Sequence, residues 1–318
     1  MWASLRKLFD KQTHQQAVAA LHWQDDGCSI IVLTKQGDSM KCTFRRTLNF
    51  QGADWSKPLE QCLKELPMVT DVVLVLAPEF YQLVQVDKPQ VPEAELKAAL
   101  RWQLKELVSL ELDDMQFDYL DLPSSHQQQA ARLQMVVSSQ DLLQQLVGSL
   151  HRARLPITTI LPEEWLLKDL IPAQPQPTLV LSHRSGQDVA MMIVRGEQVC
   201  FSRRIRGIQQ LEQLSLDALH QGYLDTLGLE VQRSVDYFEG QMKQAPVRHM
   251  FLALDTELQE DIAGFFRELG FAKVELLDFG QWLPDVPLTQ QAQFAVPLAA
   301  AMGSEVFALQ EARLENAS

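Results

Sequence analysis

Val18-Ala19-Ala20-Leu21-His22-Trp23-Gln24-Asp25-Asp26-Gly27-Cys28-Ser29-Ile30-Ile31-Val32-Leu33-Thr34 is the stretch that decides the fold. Two runs of strand-forming residues flank the turn Gln24-Asp25-Asp26-Gly27. Its Asp-Gly pair predicts a tight hairpin, with glycine supplying a positive φ. A third strand around Met40–Arg45 completes a meander. The same rhythm returns later in the chain. Leu179–Ser182 reads as a strand, a polar turn passes through Gly186, and Val189–Arg195 follows; after Gly196-Glu197 comes Val199–Ile205.

Beyond each meander the pattern changes to alternating helices and strands. In the first half Trp55–Leu66 has helical spacing and Val72–Leu76 is a β-branched run suited to a buried strand. Leu83–Val86 is extended. A helix starts at Pro92-Glu93-Ala94-Glu95, with proline and acids in its first turn, and runs to about Ser109. Strands at Met115–Leu122 and Leu133–Ser138, a helix at Gln140–Ala153 and a strand at Ile157–Leu161 complete this half. The second half continues with helices Leu211–Gly222 and Asp225–Gln241, strand Val247–Leu254, helix Leu258–Leu269, strand Val274–Leu277 and the Ala-rich helix Phe294–Met302.

A duplicated meander followed by β/α units predicts an α/β, actin-like (ribonuclease-H-type duplicated) fold of two lobes, with an α/β subdomain inserted in the first. The expected boundaries are 1–170 for the first lobe, with the insert at about 85–155, and 178–308 for the second. Residues 171–178 form the linker, because Pro172, Pro175 and Pro177 cannot continue a helix; 309–318 form a tail.

Composition narrows the function. The 318 residues are 46% hydrophobic and 22% charged, enough apolar material for a packed core. A net charge of −13 repels phosphate backbones, so no nucleic-acid partner is expected. Arg45-Arg46 and Arg203-Arg204 read most simply as solvated strand ends. The four cysteines, Cys28, Cys42, Cys62 and Cys200, show no metal or redox spacing and suit a reducing compartment. No secretory leader and no run of about 20 apolar residues is visible, which predicts a cytoplasmic location.

In an actin-like architecture, nucleotide phosphates lie against the first hairpin of each lobe. The chemistry needs an acid to orient metal-bound water and glycines that let backbone N–H groups approach phosphate oxygens. The corresponding positions here are His22 and Gln24 in the first hairpin, Ser182, His183 and Arg184 in the second, and Leu254-Asp255 at the adenosine-side turn. None offers the acid-glycine or glycine-glycine pair. The groove is therefore expected to be degenerate, with no catalytic residue, no metal and no cofactor; binding of ATP with Mg²⁺ is the alternative. His22 and His183 read as hydrogen-bonded structural histidines, since no acid–base partner stands at a telling spacing. Other nucleotide, hydrolase and zinc motifs are missing as well.

Several segments resemble one family. Val91-Pro92-Glu93-Ala94-Glu95-Leu96 through Leu112-Asp113 and Phe117-Asp118-Tyr119 are similar to a helix and acidic strand of the PilM-type actin-like proteins of type IV pilus assembly, above all their MSHA-pilus branch. Gly228-Leu229-Glu230-Val231-Gln232-Arg233-Ser234-Val235-Asp236-Tyr237-Phe238 resembles their long second-lobe helix; Phe251–Gly270 with Val274-Glu275, and Phe294–Gly303, follow in the same order. The resemblance implies a scaffold or adaptor, not an enzyme. It would dock the N-terminal cytoplasmic tail of a PilN-like inner-membrane protein in a first-lobe groove and contact the pilus assembly ATPase. Typical members carry Asp and Gly where His22 and Gln24 stand. A functional ATPase of the same machine is the alternative. So is a cytoplasmic domain like the L-type proteins of type II secretion, although there a membrane-spanning helix should follow.

Two surface features complete the reading. On the helix from Glu93, Leu96, Leu100, Leu104 and Leu107 share one face, which places Trp102 on the polar side with Ala98 and Lys105. An exposed Trp beside a small residue is a plausible anchor for a partner peptide; the alternative is packing on a neighbouring subdomain. At the start of the chain, Trp2, Leu5, Leu8 and Phe9 fall near one face with basic neighbours, the pattern of a weak membrane contact.

Overall fold

The computed structural model describes residues 17–36, 39–50, 55–69, 71–121 and 131–303. The region of Trp2, Leu5, Leu8 and Phe9 and the tail at 309–318 lie outside the described residues. In the first lobe, β1 (Ala17–Gln24), β2 (Gly27–Gln36) and β3 (Ser39–Asn49) form the expected antiparallel meander. Helix α1 (Ser56–Glu65) and β4 (Asp71–Leu76) follow. The chain then leaves the lobe to build β5 (Tyr81–Asp87), α2 (Glu93–Leu104), β6 (Met115–Asp121) and β7 (Arg132–Ser139), and returns through α3 (Gln140–Arg152) to β8 (Ile157–Pro162). The main sheet has the order β3-β2-β1-β4-β8 and the inserted antiparallel sheet the order β5-β7-β6.

The second lobe repeats this plan. Strands β9 (Gln174–His183), β10 (Val189–Gly196) and β11 (Gln198–Ile205) make the second meander. Helix α4 (Leu224–Asp236), β12 (His249–Leu254), α5 (Gln259–Glu268), β13 (Lys273–Leu276) and α6 (Ala295–Met302) follow. The sheet order is β11-β10-β9-β12-β13, with β12 parallel to both β9 and β13. Two sheets of identical order and direction, each opened by a meander, define the actin-like fold that the pattern predicts.

Strand alternation sorts the core into layers. From β1, Ala17, Ala19, Leu21 and Trp23 point into the first-lobe core, while Val18 and Ala20 point into a core shared by both lobes. From β9, Leu179 and Leu181 join the second-lobe core and Val180 joins the shared one. Burial on both faces is why these strands read as unbroken apolar runs. Helix α6 lies in the shared layer. It packs on β1, β2 and β4 of the first lobe although it follows the second lobe in sequence. Its Leu298, Ala299, Ala300 and Ala301 are fully buried, and the run of alanines lets the backbone approach the sheet.

Several expectations change. Gly27 does not adopt a positive φ. It is required for space, since a Cβ there would lie 2.1 Å from the Leu48 carbonyl oxygen on β3. The linker is only in part a connector: β9 already begins at Gln174. Pro175 and Pro177 are tolerated because β12 pairs with β9 only from Thr178 onward, so their missing N–H groups break no ladder bond on that side. Helix α3, placed by sequence within the insert, buries Leu146 and Leu150 in the first-lobe core, and the inserted sheet closes at Ser139. The helix expected over Leu211–Gly222 reduces to short turns before a kink at Gly222, whose φ is 115°. Helix α2 stops at Leu104, so Leu107 leaves the apolar stripe and is exposed.

Candidate functional site

The cleft between the lobes opens where the apolar alternation on β1 and β9 turns polar. On β1 the cleft-facing positions run Val18, Ala20, His22, Gln24, and on β9 and the turn after it Val180, Ser182, Arg184. Of the hairpin positions singled out in the sequence, the structure brings His22, Gln24 and Arg184 into one hydrogen-bonded network. Arg184 Nη1 donates to Gln24 Oε1 at 2.8 Å across the cleft. Gln24 Nε2 donates to His22 Nδ1 at 2.9 Å and lies 3.4 Å from Ser29 Oγ. His22 Nε2 donates to Glu163 Oε2 at 2.7 Å. The other oxygen of Glu163 accepts from Arg204 Nη2 at 2.6 Å, and Arg204 Nε lies 3.7 Å from Glu164.

The network starts in the second lobe at Arg184, crosses the first hairpin, passes through Glu163 in the turn after β8, and re-enters the second lobe at Arg204 on β11. His22 has no exposed surface and Gln24 is 5% exposed. Burial holds the His22 imidazole below its ordinary pKa, against the pull of Glu163, so the ring is neutral at neutral pH. Burial alone would raise Glu163, yet the His22 N–H and the Arg204 and Arg184 guanidinium groups hold it well below the usual carboxylate range.

The remaining groove residues divide. Ser182 and His183 both border the cleft pocket; the His183 ring turns Nε2 to within 3.5 Å of the Gln209 carbonyl and 3.7 Å of Glu212. Burial lowers the pKa of His183 too. Asp255 binds the second hairpin through its backbone N–H to the His183 carbonyl at 3.1 Å, and its Oδ2 accepts from the Ser185 N–H at 3.3 Å. Burial raises its pKa. Leu254 is a correction: the alternation of β12 sends Met250, Leu252 and Leu254 into the second-lobe core, so its side chain does not line the groove.

The gap between the hairpins, where phosphates would lie, is spanned by the Arg184–Gln24 contact. The free space among Glu163, Ser182, Arg184, Arg204 and Val296 is about 20 Å³, room for roughly one water. Among the described residues, no group of three or more His, Cys, Asp or Glu side chains is placed to hold a metal ion.

Sequence reasoning misses Glu163 and misreads Arg204. Arg204 is no solvated strand end: its side chain is 20% exposed and ion-paired. Its neighbour Arg203, on the opposite face of β11, pairs with Glu230 of α4. On the insert, Ala98 and Lys105 flank Trp102 on the outer side of α2. Trp102 is 65% exposed, with Lys105 Nζ 5.7 Å from its ring centroid.

No family model matches the sequence, nor does any curated protein sequence. Solved structures do match. A chain of the PilM–PilN type IV pilus biogenesis complex is similar at a TM-score of 0.65 and 16% identity, over 90% of this chain and 97% of that one. The cytoplasmic domain of EpsL, an inner membrane component of the type II secretion system of Vibrio cholerae, gives a TM-score of 0.50 and 13% identity, over 88% and 94%. The actin-like fold is shared with both. No helix among the described residues is long and apolar enough to cross a membrane.

Proposed function

We propose that this protein is a cytoplasmic scaffold of a type IV pilus assembly machine, of the MSHA kind served by MshI, and that it works without ATP. Its partners on this reading are the N-terminal cytoplasmic tail of a PilN-like inner-membrane protein and the assembly ATPase, so its membrane association is indirect. One observation carries the non-enzymatic part. The side chains that replace acid and glycine at the two hairpins are bonded to each other across the cleft at 2.8 Å. A phosphate chain lying between the hairpins would have to displace that contact, in a gap lined by Glu163 and Asp188 as well as Arg184 and Arg204. The likeness to a chain of the PilM–PilN complex supports the choice of machine. The EpsL likeness favours, as the second reading, an equivalent scaffold in type II secretion.

Titration calorimetry with ATP and Mg²⁺ tests the proposal. The expected dissociation constant is about millimolar or weaker, a loss of roughly 4 kcal/mol from a micromolar site. Micromolar binding, or steady magnesium-dependent turnover, would establish the ATPase alternative.

The exposed face of α2 is the proposed docking surface. Trp102→Ala is expected to weaken binding of the partner's tail peptide by about 1–2 kcal/mol, the usual size for an aromatic anchor. The melting temperature should barely move, because Trp102 contributes nothing to the buried insert core of Leu96, Leu100, Leu104, Met115 and Met135. Unchanged peptide affinity would place the docking surface elsewhere.

A further inference from the structure

The polarity of the cleft network is dictated from its ends. Arg184 has only N–H donors, so Gln24 must turn Oε1 toward it. That leaves the Gln24 amide nitrogen facing His22 Nδ1, which must then be an unprotonated acceptor. The single ring proton sits on Nε2 and is donated to Glu163, whose second oxygen is held by Arg204. The three bonds from Arg184 to Glu163 thus depend on one proton position, while the Arg204–Glu163 bond does not.

A second proton on His22 breaks the pattern at the lobe contact. With Nδ1 protonated, two donors face each other. Rotating the Gln24 amide so that Oε1 accepts from Nδ1 only moves the conflict, because the amide NH₂ then faces Arg184. Either way one bond is lost, and the arrangement that satisfies the ring is the one that gives up the Arg184 contact between the lobes, leaving Arg204–Glu163 as the other polar tie. The apolar cluster that contains α6 also joins the lobes and can serve as the hinge.

We propose that the Arg184–Gln24–His22–Glu163–Arg204 network is a latch that holds the two lobes closed without nucleotide and opens when His22 takes up a second proton. The latch is independent of which partner the protein serves. The groups facing His22 are Glu163 from the turn after β8, Gln24 and Ser29 from its own hairpin, Arg184 from the second lobe, and Glu79 from the turn after β4. The two acids favour the proton, while burial and Arg184 oppose it and prevail. With the folded value below the ordinary imidazole value of about 6.5, the unfolded or opened chain binds more protons as pH falls below that point. Closure is therefore full above about pH 6.5 and is lost as pH falls through the folded value.

The test is small-angle X-ray scattering of the full chain at about pH 8 and at successively lower pH below the ordinary imidazole pKa of about 6.5, with ¹⁵N-histidine NMR to read the His22 tautomer and its second protonation. The wild type should show an Nε2–H ring and a compact molecule at the higher pH, and a larger radius of gyration where the ring becomes doubly protonated. Arg184→Met, at a turn outside the cores, should be open throughout. Gln24→Glu should be closed throughout, since its carboxylate accepts from Arg184 and from a protonated Nδ1 together. His183→Asn, which removes the other buried imidazole, should leave the wild-type response unchanged. The proposal is overturned by a wild type of constant radius, by an Nδ1–H tautomer at the higher pH, by Arg184→Met and Gln24→Glu shifting in the same direction, or by a response that disappears with His183.

Discussion

Arg204→Met is expected to cost about 3–5 kcal/mol of folding stability. The arginine is the main charged partner of Glu163, which is 9% exposed and bonded through both oxygens. Methionine keeps most of the aliphatic volume but leaves a buried carboxylate with a neutral imidazole beside it and Arg184 as its remaining cationic neighbour. Chemical denaturation read by tryptophan fluorescence measures the loss. The double variant Glu163→Gln with Arg204→Met separates charge from packing. The amide that Glu163→Gln introduces can still accept the His22 N–H and carries no charge to bury, so most of the stability should return. A double variant as unstable as the single one would mean that Arg204 acts through its packing.

Leu298→Ala is expected to cost about 2–5 kcal/mol, the range for deleting a buried leucine where the surroundings cannot collapse. The rigid neighbours here are a sheet from each lobe and the alanines of α6, none of which can fill the space left. Because α6 packs on the first-lobe sheet while the shared core also holds Val180, Met192 and Phe251 of the second, the loss should fall on both lobes at once. Melting followed by circular dichroism and by tryptophan fluorescence should move to lower temperature together. Separation into two transitions would show that the lobes fold independently and that α6 serves only one.

What is legible in the sequence follows from which forces act locally. The meanders announce themselves because their inner strands, buried on both faces, are apolar over most of their length, and turns must be polar. Residue pairs distant in sequence are not legible. His22 and Glu163 are 141 positions apart and Gln24 and Arg184 are 160 apart, and no spacing rule links them. The available signal is the alternation itself: Val18, Ala20, His22, Gln24 keeps one face of β1 pointing inward while its chemistry changes from apolar to polar. A buried polar pair at the end of an inward face needs partners, and that requirement points to residues such as Glu163 and Arg204 without naming them. Gly27 shows the reverse case. The hairpin pattern marks it as indispensable for a wrong reason, because the approach of β3 is a tertiary contact that the hairpin sequence does not contain.

The return of α6 to the first lobe bears on how the protein is made. Ribosomal synthesis delivers the meander of β1, β2 and β3 first, with the inner face carrying Val18, Ala20, Ile31 and Leu33 ready to be covered. The helix that covers it, Ala295–Met302, emerges only after the whole of the second lobe's sheet. Until then the growing chain exposes an apolar sheet surface of the kind that chaperones hold and that nascent chains use to aggregate. A polypeptide interrupted before α6 lacks the helix that covers this face and leaves Val18, Ala20, Ile31 and Leu33 without that cover.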